Sequence, residues 1–370
     1  MSTKFDVAQL PELLDFDYEH MQKSRERQCR FWCGEKLAVP LLFIGGELSE
    51  KQKVIPEYNY KEIFTNKEKM LCSEVRAACA VANGRSDMIP SIRANLGTGI
   101  TLACLGLEQK SFPDKMPWLT EHLTKEQIIK LSPDDIQMRG TFARGLEMMR
   151  YFKKIIGDLI PIYVMDTQGP FDLAHLMLGD ELFIQLYDDP PFVHHLMNLC
   201  LELGIKTHRW MKETIDEPLT SMHHGSSLYS DSFGIRICED TTIMLGPDHI
   251  EEFAVAYSRK LAREFGGAWV HYCGYSEGLT DSILSYPEFK VLNFGHIPGH
   301  EQEIDFYKNM EKFKRAGKVN FNAWPKFTDE SAEEYLIRQH KFASQGILAP
   351  IPRDIDNMSP KKIYDLWRGL

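Results

Sequence analysis

The sequence predicts one α/β domain, a (β/α)₈ barrel of the TIM type with extra helices at its amino terminus. Short apolar runs alternate with amphipathic stretches of helical spacing along the 370 residues, and this alternation is typical of a parallel sheet. Seven or eight such runs favour closure into a barrel. An open, doubly wound sheet is the alternative, although the chain has no Gly-x-Gly-x-x-Gly or phosphate-loop motif. We expect residues 1–65 to form a helical and edge extension packed on a barrel of residues 66–370.

The predicted strands are short apolar runs, most of them next to glycine. They fall at residues 37–46, 87–97, 159–165, 233–242, 266–274, 289–295, 317–323 and 346–350. The first of these contains a proline and is equally consistent with an edge segment. Strands of this length, separated by helices of 10 to 15 residues, are expected to pair in parallel.

The predicted helices are marked by periodic apolar residues and by recognisable ends. Residues 5–33 should form one or two outer helices, and residues 66–83 a helix that stops at Asn83-Gly84. Hydroxyl residues followed three positions later by Gln, Asp or Glu indicate helix starts at Thr124, Ser132 and Ser331. The prolines at 190–191 should break the stretch 180–210 into two helices.

Composition excludes several classes of protein. Hydrophobic residues make up 43% and charged residues 26% of the chain, as in ordinary globular proteins. The net charge is -10 and no long basic run occurs, so we expect no nucleic-acid partner. We find neither an apolar stretch of about 20 residues nor a signal-like amino terminus, and we expect no membrane contact and a cytoplasmic location. The eight scattered cysteines should therefore be reduced thiols.

The strongest chemical signal lies at the end of the run 266–274. Side chains alternate along a strand, so His271 and Cys273 should project to the same side. Imidazole and thiolate are ligands that zinc prefers, and the carboxyl ends of parallel strands are where barrel enzymes place their chemistry. The competing interpretation is a buried thiol beside a hydrogen-bonded histidine.

Two earlier strand ends also carry polar side chains. Asp166 and Gln168 follow the run 159–165 at a predicted strand-to-helix turn, where Asp166 could equally cap the next helix. Arg93 lies in the run 87–97 beside flexible glycines, where it could bind substrate or pair with an acidic loop residue. We name Asp166, Gln168 and Arg93 as candidate catalytic residues.

A second cluster ends the run 233–242. Glu239 and Asp240 stand beside Cys238, one helix before the His271 strand, so this strand should be its neighbour. His223 precedes a glycine at another inferred strand end and is a further candidate for the catalytic pocket. We expect six side chains to face one cavity at the barrel mouth, those of Asp166, His223, Glu239, Asp240, His271 and Cys273.

Several stretches together resemble the uroporphyrinogen decarboxylase superfamily. They are Thr-Gln-Gly-Pro-Phe-Asp-Leu-Ala at 167–174, Leu-Gly-Asp-Glu at 178–181, Leu-Tyr-Asp-Asp-Pro at 186–190, Glu-Asp at 239–240 with Gly-Pro at 246–247, His-Tyr-Cys-Gly at 271–274 and Leu-Asn-Phe-Gly at 292–295. The resemblance runs from about residue 66 to residue 370. It implies a single (β/α)₈ barrel with its active site at the carboxyl-terminal mouth.

This superfamily contains two chemistries. Its decarboxylases carry an arginine-rich amino-terminal signature with a nearby aspartate, whereas this chain has only Arg93 and Asp87 in the comparable region. Its corrinoid methyltransferases hold zinc with a His-x-Cys pair and a more distant cysteine. His271 and Cys273 match the pair, but residues 347–352, where the distant cysteine is expected, contain none.

The methyltransferase branch is the closer match and implies a specific set of cofactors and partners. Zinc would be held by His271, Cys273 and a replacement ligand, preferably the carboxylate of Glu239 or Asp240 and otherwise Cys238; a weaker metal site or none stays open. The resemblance implies methyl transfer between a small methylated substrate, or a thiol or pterin acceptor, and methylcobalamin on a partner corrinoid protein. A homodimer also stays open. The alternatives are a uroporphyrinogen-type decarboxylase and a non-catalytic ligand-binding barrel.

Overall fold

The computed structural model describes residues 5–225, 227–296, 303–353, 355 and 358–370. The strands of this part of the chain are β1 Met222–His224, β2 Leu228–Ser230, β3 Ile235–Cys238, β4 Ala268–Tyr272, β5 Phe289–Phe294, β6 Val319–Asn322 and β7 Leu348–Pro350. The α-helices are α1 Leu10–Leu13, α2 Tyr18–Trp32, α3 Tyr60–Thr65, α4 Lys67–Asn83, α5 Lys125–Ile128, α6 Gly140–Ile156, α7 Pro170–Leu178, α8 Glu181–Asp188, α9 Pro190–Ile215, α10 Pro247–His249, α11 Ala256–Glu264, α12 Glu277–Ser285, α13 Phe306–Ala316, α14 Ala332–Ala343 and α15 Pro360–Gly369.

A five-stranded parallel sheet in the order β3-β4-β5-β6-β7 forms the centre of the fold. The predicted parallel pairing is confirmed for these strands, but eight regular strands are not present among the described residues. The run 159–165 meets the run 87–97 through one bridge, Ile92 to Ile162. One proline in each of the three earlier runs, at positions 40, 90 and 161, cannot donate to a ladder, which explains why these runs are not regular strands.

Extended backbone nevertheless continues beyond both edges of the sheet. At the β7 edge, the Phe43 amide donates to the Pro350 carbonyl at 3.2 Å, and the Asp87 amide donates to Leu42 at 2.9 Å. At the β3 edge, Gln168 forms a parallel bridge with Cys238. The turn after the run 159–165 therefore lies directly beside the carboxyl end of β3.

The helix predictions hold where the sequence has clear ends. Helix α4 covers the predicted stretch 66–83, and the 180–210 stretch breaks between α8 and α9. Capping boxes form at Thr124, Ser132 and Ser331, although the one at Ser132 starts only a short 3-10 helix before α6 begins. Among the residues described, no helix has the length and apolar character needed to cross a membrane.

Two apolar cores lie on the two faces of the sheet. The larger one, between the sheet and the helices, takes alternate strand residues such as Ile237, Val270 and Leu292. The inner one is filled by Trp269 and Phe321 from the sheet, by Val291, Val319 and Ala349 beside them, and by Phe31, Leu37, Leu41, Phe43, Met222, Leu228 and Phe233. Because these side chains fill the amino-terminal end of the inner face, the space at its carboxyl end is open to the polar side chains of Cys238, Asp240 and His271.

The proposed domain boundary at residue 65 stays a prediction.

A buried ion pair at the start of β5 provides a test of the packing of α11 against the sheet. Burial opposes ionisation of Glu288, but hydrogen bonds from Arg259 and Arg263 outweigh it and lower the pKa of Glu288 from 4.5 to about 2. Because this pKa is depressed, its stabilisation is present above about pH 4.5 and is lost as the pH falls through about 2.

We expect Glu288→Gln to lower the free energy of unfolding by about 2 kcal/mol at pH 7 and by less at pH 3. Urea denaturation at the two pH values measures this difference. The control is Glu264→Gln, which removes an exposed pair with Arg209 and should cost under about 1 kcal/mol. An equal cost at both pH values would contradict the proposed ionisation.

Candidate functional site

The site is built on one row of side chains across three neighbouring strands. Cys238 on β3 pairs in register with His271 on β4, and His271 pairs with Asn293 on β5. Neighbours in register on a parallel sheet point to the same face. The row lies above Trp269 of the inner core, because Trp269 precedes His271 by two residues on the same face.

Asn293 determines which nitrogen of His271 is available. The Asn293 amide nitrogen donates to the Phe321 carbonyl at 2.7 Å, which leaves its oxygen as the acceptor. His271 Nδ1 contacts that oxygen, so Nδ1 carries the proton and Nε2 keeps its lone pair. A histidine oriented in this way by a hydrogen bond to its other nitrogen is the usual form of a metal ligand. Burial, with Arg236 nearby, also lowers the pKa of His271 and favours the neutral ring.

Asp240 reaches the same point from the loop after β3. One carboxylate oxygen lies 3.8 Å from His271 Nε2 and accepts the Cys273 amide at 2.6 Å. Asp172, in the first turn of α7, holds the loop by accepting the amides of Asp240 and Thr241, each at 2.8 Å. One ligand atom each of Cys238, Asp240 and His271 lies within 4.8 Å of the others, which is close enough to surround one cation.

Cys273 lies next to this group without being part of it. Its sulfur is 3.6 Å from His271 Nε2, as expected for residues two apart at a strand end. The residue is exposed, and burial of the thiol itself, together with Asp240, raises its pKa to about 11. Cys273 is therefore an additional thiol next to the cluster of Cys238, Asp240 and His271.

Glu239 does not join the cluster, which corrects our expectation for this residue. Since Cys238 points to the inner face, the next residue points to the helices, where its carboxylate accepts hydrogen bonds from Thr242 at 2.8 Å and from Ser258. Burial raises the pKa of Glu239 to about 8. A Cβ at Gly169 would lie 2.3 Å from this carboxylate, so only glycine lets the turn approach β3 this closely.

Asp166 is the centre of a buried charge network beside the row. Arg93 donates to it at 3.2 Å, Arg236 lies 3.9 Å away, and Gln168 donates to its other oxygen. Burial opposes the charge on Asp166, but Arg236 and Arg93 outweigh burial and lower its pKa. One carboxylate therefore interacts with both arginines, and the three groups together keep one net positive charge. Asp166 pairs with side chains and does not cap a helix.

His223 lies away from the cavity, which corrects its placement at the mouth. It belongs to the β1-β2 hairpin, which contacts the start of the run 87–97 through the bond from the Ile89 amide to Ser227. Its Nδ1 lies 2.9 Å from Glu217. Its neighbour His224 packs instead against Trp269 of the inner core. Burial there lowers the pKa of His224 well below the ordinary value.

A cleft opens next to the cluster. It has a volume of about 470 Å³ and includes Gln168 and Asp240 in its wall. The other lining residues are Thr98, Trp118, His122, Asp172, His175, Leu176, Gly179, Asp180 and Thr241. Because Asp240 belongs to both the cleft and the cluster, a molecule in this cleft would lie beside the cation position.

Three site residues were missed by the sequence analysis. Arg236 stands between two isoleucines that point outward, so strand alternation alone could have placed it inside. Asn293 lies near the end of the predicted strand 289–295, where the stretch Leu-Asn-Phe-Gly was noted only for the family resemblance. Asp172 lies in the stretch 167–174, which was noted only for the family resemblance.

The comparisons with known proteins agree with the fold. The chain is similar in structure to a methyltransferase from Methanosarcina mazei, with a TM-score of 0.63, 17% sequence identity and coverage of 94% of this chain and 98% of that chain. No family model and no curated protein matches the sequence. At this identity the likeness establishes a methyltransferase-like fold, and membership of the uroporphyrinogen decarboxylase superfamily stays a prediction.

The assigned tautomer of His271 is directly testable. We expect nitrogen NMR of the metal-free wild-type protein to show the proton on Nδ1, because the Asn293 oxygen can only accept it. Asn293→Ala removes that acceptor and should leave a mixture of tautomers. Asn309→Ala, at a buried asparagine on α13, is the control and should not change the His271 signals. A dominant Nε2–H form in the wild type would contradict the assignment.

Proposed function

We propose that this protein is a methyltransferase that uses zinc held by Cys238, Asp240 and His271 and that works with a corrinoid protein. We further propose that the three extended runs 37–46, 87–97 and 159–165 join the five-stranded sheet and close it into an eight-stranded barrel. The observation that carries the proposal is the three-residue cluster at the carboxyl end of parallel strands, open to a cleft. The structural likeness to a methyltransferase supports it.

The donor set suits zinc. Thiolate, imidazole and carboxylate are its usual ligands, at about 2.0 to 2.3 Å, and one donor atom of each residue lies within 4.8 Å of the other two. Cys238 must lose its proton to bind; burial raises the pKa of this thiol, and Arg236 acts against that rise. Three protein ligands leave one position open for a substrate, and Cys273 is close enough to fill it in the resting protein.

In this role zinc would lower the pKa of a thiol bound at the open position. Cys238, Asp240 and His271 would hold this zinc. The acceptor sulfur would gain the new S–C bond, and the bond to the methyl donor would break with its electron pair staying on the donor. Within the chain, Asn293 orients His271, Asp172 holds the Asp240 loop, and Gln168 contributes a polar group to the cleft. A methylated cobalamin on a partner protein would donate or accept the methyl group, and the cleft beside Asp240 is where the small substrate would lie.

A uroporphyrinogen-type decarboxylase is supported less well. Such a substrate carries many carboxylates and needs several unpaired cations. Arg93 and Arg236 are both paired with Asp166, and Asp87 is paired with Arg27.

A cytoplasmic location and a homodimer remain predictions.

Metal binding separates the two thiols. We expect Cys238→Ser to lower zinc affinity about 100-fold or more, because it removes a direct ligand, and Cys273→Ser to lower it about tenfold or less. Competition with a chromophoric chelator measures both values, and Cys33→Ser, at an exposed cysteine on the C-terminal cap of α2, is the control. Should Cys273→Ser strip the metal while Cys238→Ser keeps it, the His271-Cys273 pair would be the core of the site. No stoichiometric zinc in any form would end the zinc proposal.

Activity is tested with methylcobalamin and small thiols. We expect loss of the methylcobalamin absorbance with formation of a methyl thioether, detected by mass spectrometry, and a drop of about 100-fold in His271→Ala. Cys33→Ser should behave as the wild type. No transfer with thiol, ether or amine substrates would favour the ligand-binding alternative, and turnover of uroporphyrinogen would favour decarboxylation.

A further inference from the structure

A second cleft lies near the β1-β2 hairpin, away from the metal cluster. It has a volume of about 290 Å³. It is lined by Arg25, Lys153, Gly157, Asp158, Ile160, Pro161, Ile162, Ile215, Asp216, Glu217, Pro218, Ser221, His223 and Tyr229. The cleft lies at the amino-terminal end of the run 159–165. In a barrel, residues at that end usually contribute to stability, so the polar groups that line this cleft need a separate explanation.

A chain of three buried groups orients His223 in this cleft. Lys212 is 1% exposed and donates to Glu217 at 2.8 Å. The other oxygen of Glu217 accepts the backbone amide of His223 at 3.0 Å and lies 2.9 Å from its Nδ1. A carboxylate can only accept, so Nδ1 carries a proton and Nε2 is the free position of the ring.

That free position has no partner in the part of the chain that the structure describes. His223 is 8% exposed, and its Nε2 is buried without a hydrogen bond. A buried polar atom left without a partner destabilises the folded protein, and a bound molecule that supplied a hydrogen bond would remove that cost. The ring packs against Tyr229 at 4.6 Å, so it is held in one orientation.

Arg25 supplies a cation to the same cleft. Its guanidinium lies over the Tyr229 ring at 4.2 Å. Among the described residues it makes no ion pair, whereas Lys153 is paired with Asp216 and Lys212 with Glu217. The remaining charged group of the lining, Asp158, is exposed on the rim. The unsatisfied groups are therefore a guanidinium and an imidazole nitrogen, both packed against the Tyr229 ring in the wall of one cleft.

We infer that this cleft binds a small anion, a carboxylate or a phosphate, between Arg25 and His223 Nε2. Arg25 would pair with the charge in a charge-assisted hydrogen bond. The second bond is a hydrogen bond between His223 Nε2 and an anion oxygen. It needs one proton, carried either by Nε2 or by the bound molecule. If Nε2 carries the proton, the imidazole ring is positively charged and the Glu217 carboxylate stabilises that charge. Ile160, Ile162 and Ile215 would cover a short apolar body attached to the anion.

Titration calorimetry of the full chain with inorganic phosphate and, separately, with benzoate tests this site. We expect saturable binding of at least one of them, weakened about tenfold in Arg25→Ala by loss of the charge-assisted bond. Arg30→Ala, at an exposed arginine of α2 that pairs with Glu35, is the matched control and should bind like the wild type. Binding of benzoate alone assigns an organic carboxylate, and binding of phosphate alone assigns a phosphate.

Nitrogen NMR gives a second readout that does not depend on Arg25. The His223 Nε2 signal should shift with the same saturation as the calorimetric binding, while the His271 signals and the zinc content stay unchanged. The inference is overturned if neither anion binds saturably, if Arg25→Ala binds as the wild type, if Arg30→Ala is weakened equally, or if His223 Nε2 does not respond. Because these measurements need no methyl transfer, their outcome is separate from that of the proposed function.

Discussion

The in-register pairing of β3, β4 and β5 is the constraint on which the site depends. Backbone hydrogen bonds place Cys238, His271 and Asn293 at one level of the sheet, and the period of two directs all three side chains to the inner face. A slip of one residue would turn each of them toward the helices. The outer core resists such a slip, because Ile237, Val270 and Leu292 would then leave their apolar contacts.

The inner core explains why the candidate metal ligands lie toward the carboxyl end of this face. Trp269 and Phe321 fill the space below the row and exclude water from it. Each large apolar side chain buried there contributes about 1.5 to 3 kcal/mol. That stability supports a charge network beside it that is costly to build, with Arg93, Asp166 and Arg236 buried together.

Two groups with the same chemistry have different roles because of their surroundings. Asp240 and Glu239 are adjacent acids, yet one faces His271 and the other is held by two hydroxyl groups. His223 and His224 are adjacent imidazoles on opposite faces of a hairpin strand, one beside Glu217 and one beside Trp269. In both pairs, neighbouring residues point to opposite sides of the backbone and therefore meet different partners.

The sequence alone determined what depends on neighbours along the chain. The five regular parallel strands, the ends of α4, the break before α9 and the close approach of Cys273 to His271 all follow from local periodicity, caps and prolines. Tertiary structure decided what depends on distant segments. Asn293 reaches His271 across 22 residues, and Asp172 reaches the Asp240 amide across 68. Register and packing, which no local pattern encodes, brought Cys238 close to His271 and Asp240, directed Glu239 to the helices and placed His223 in a different cleft.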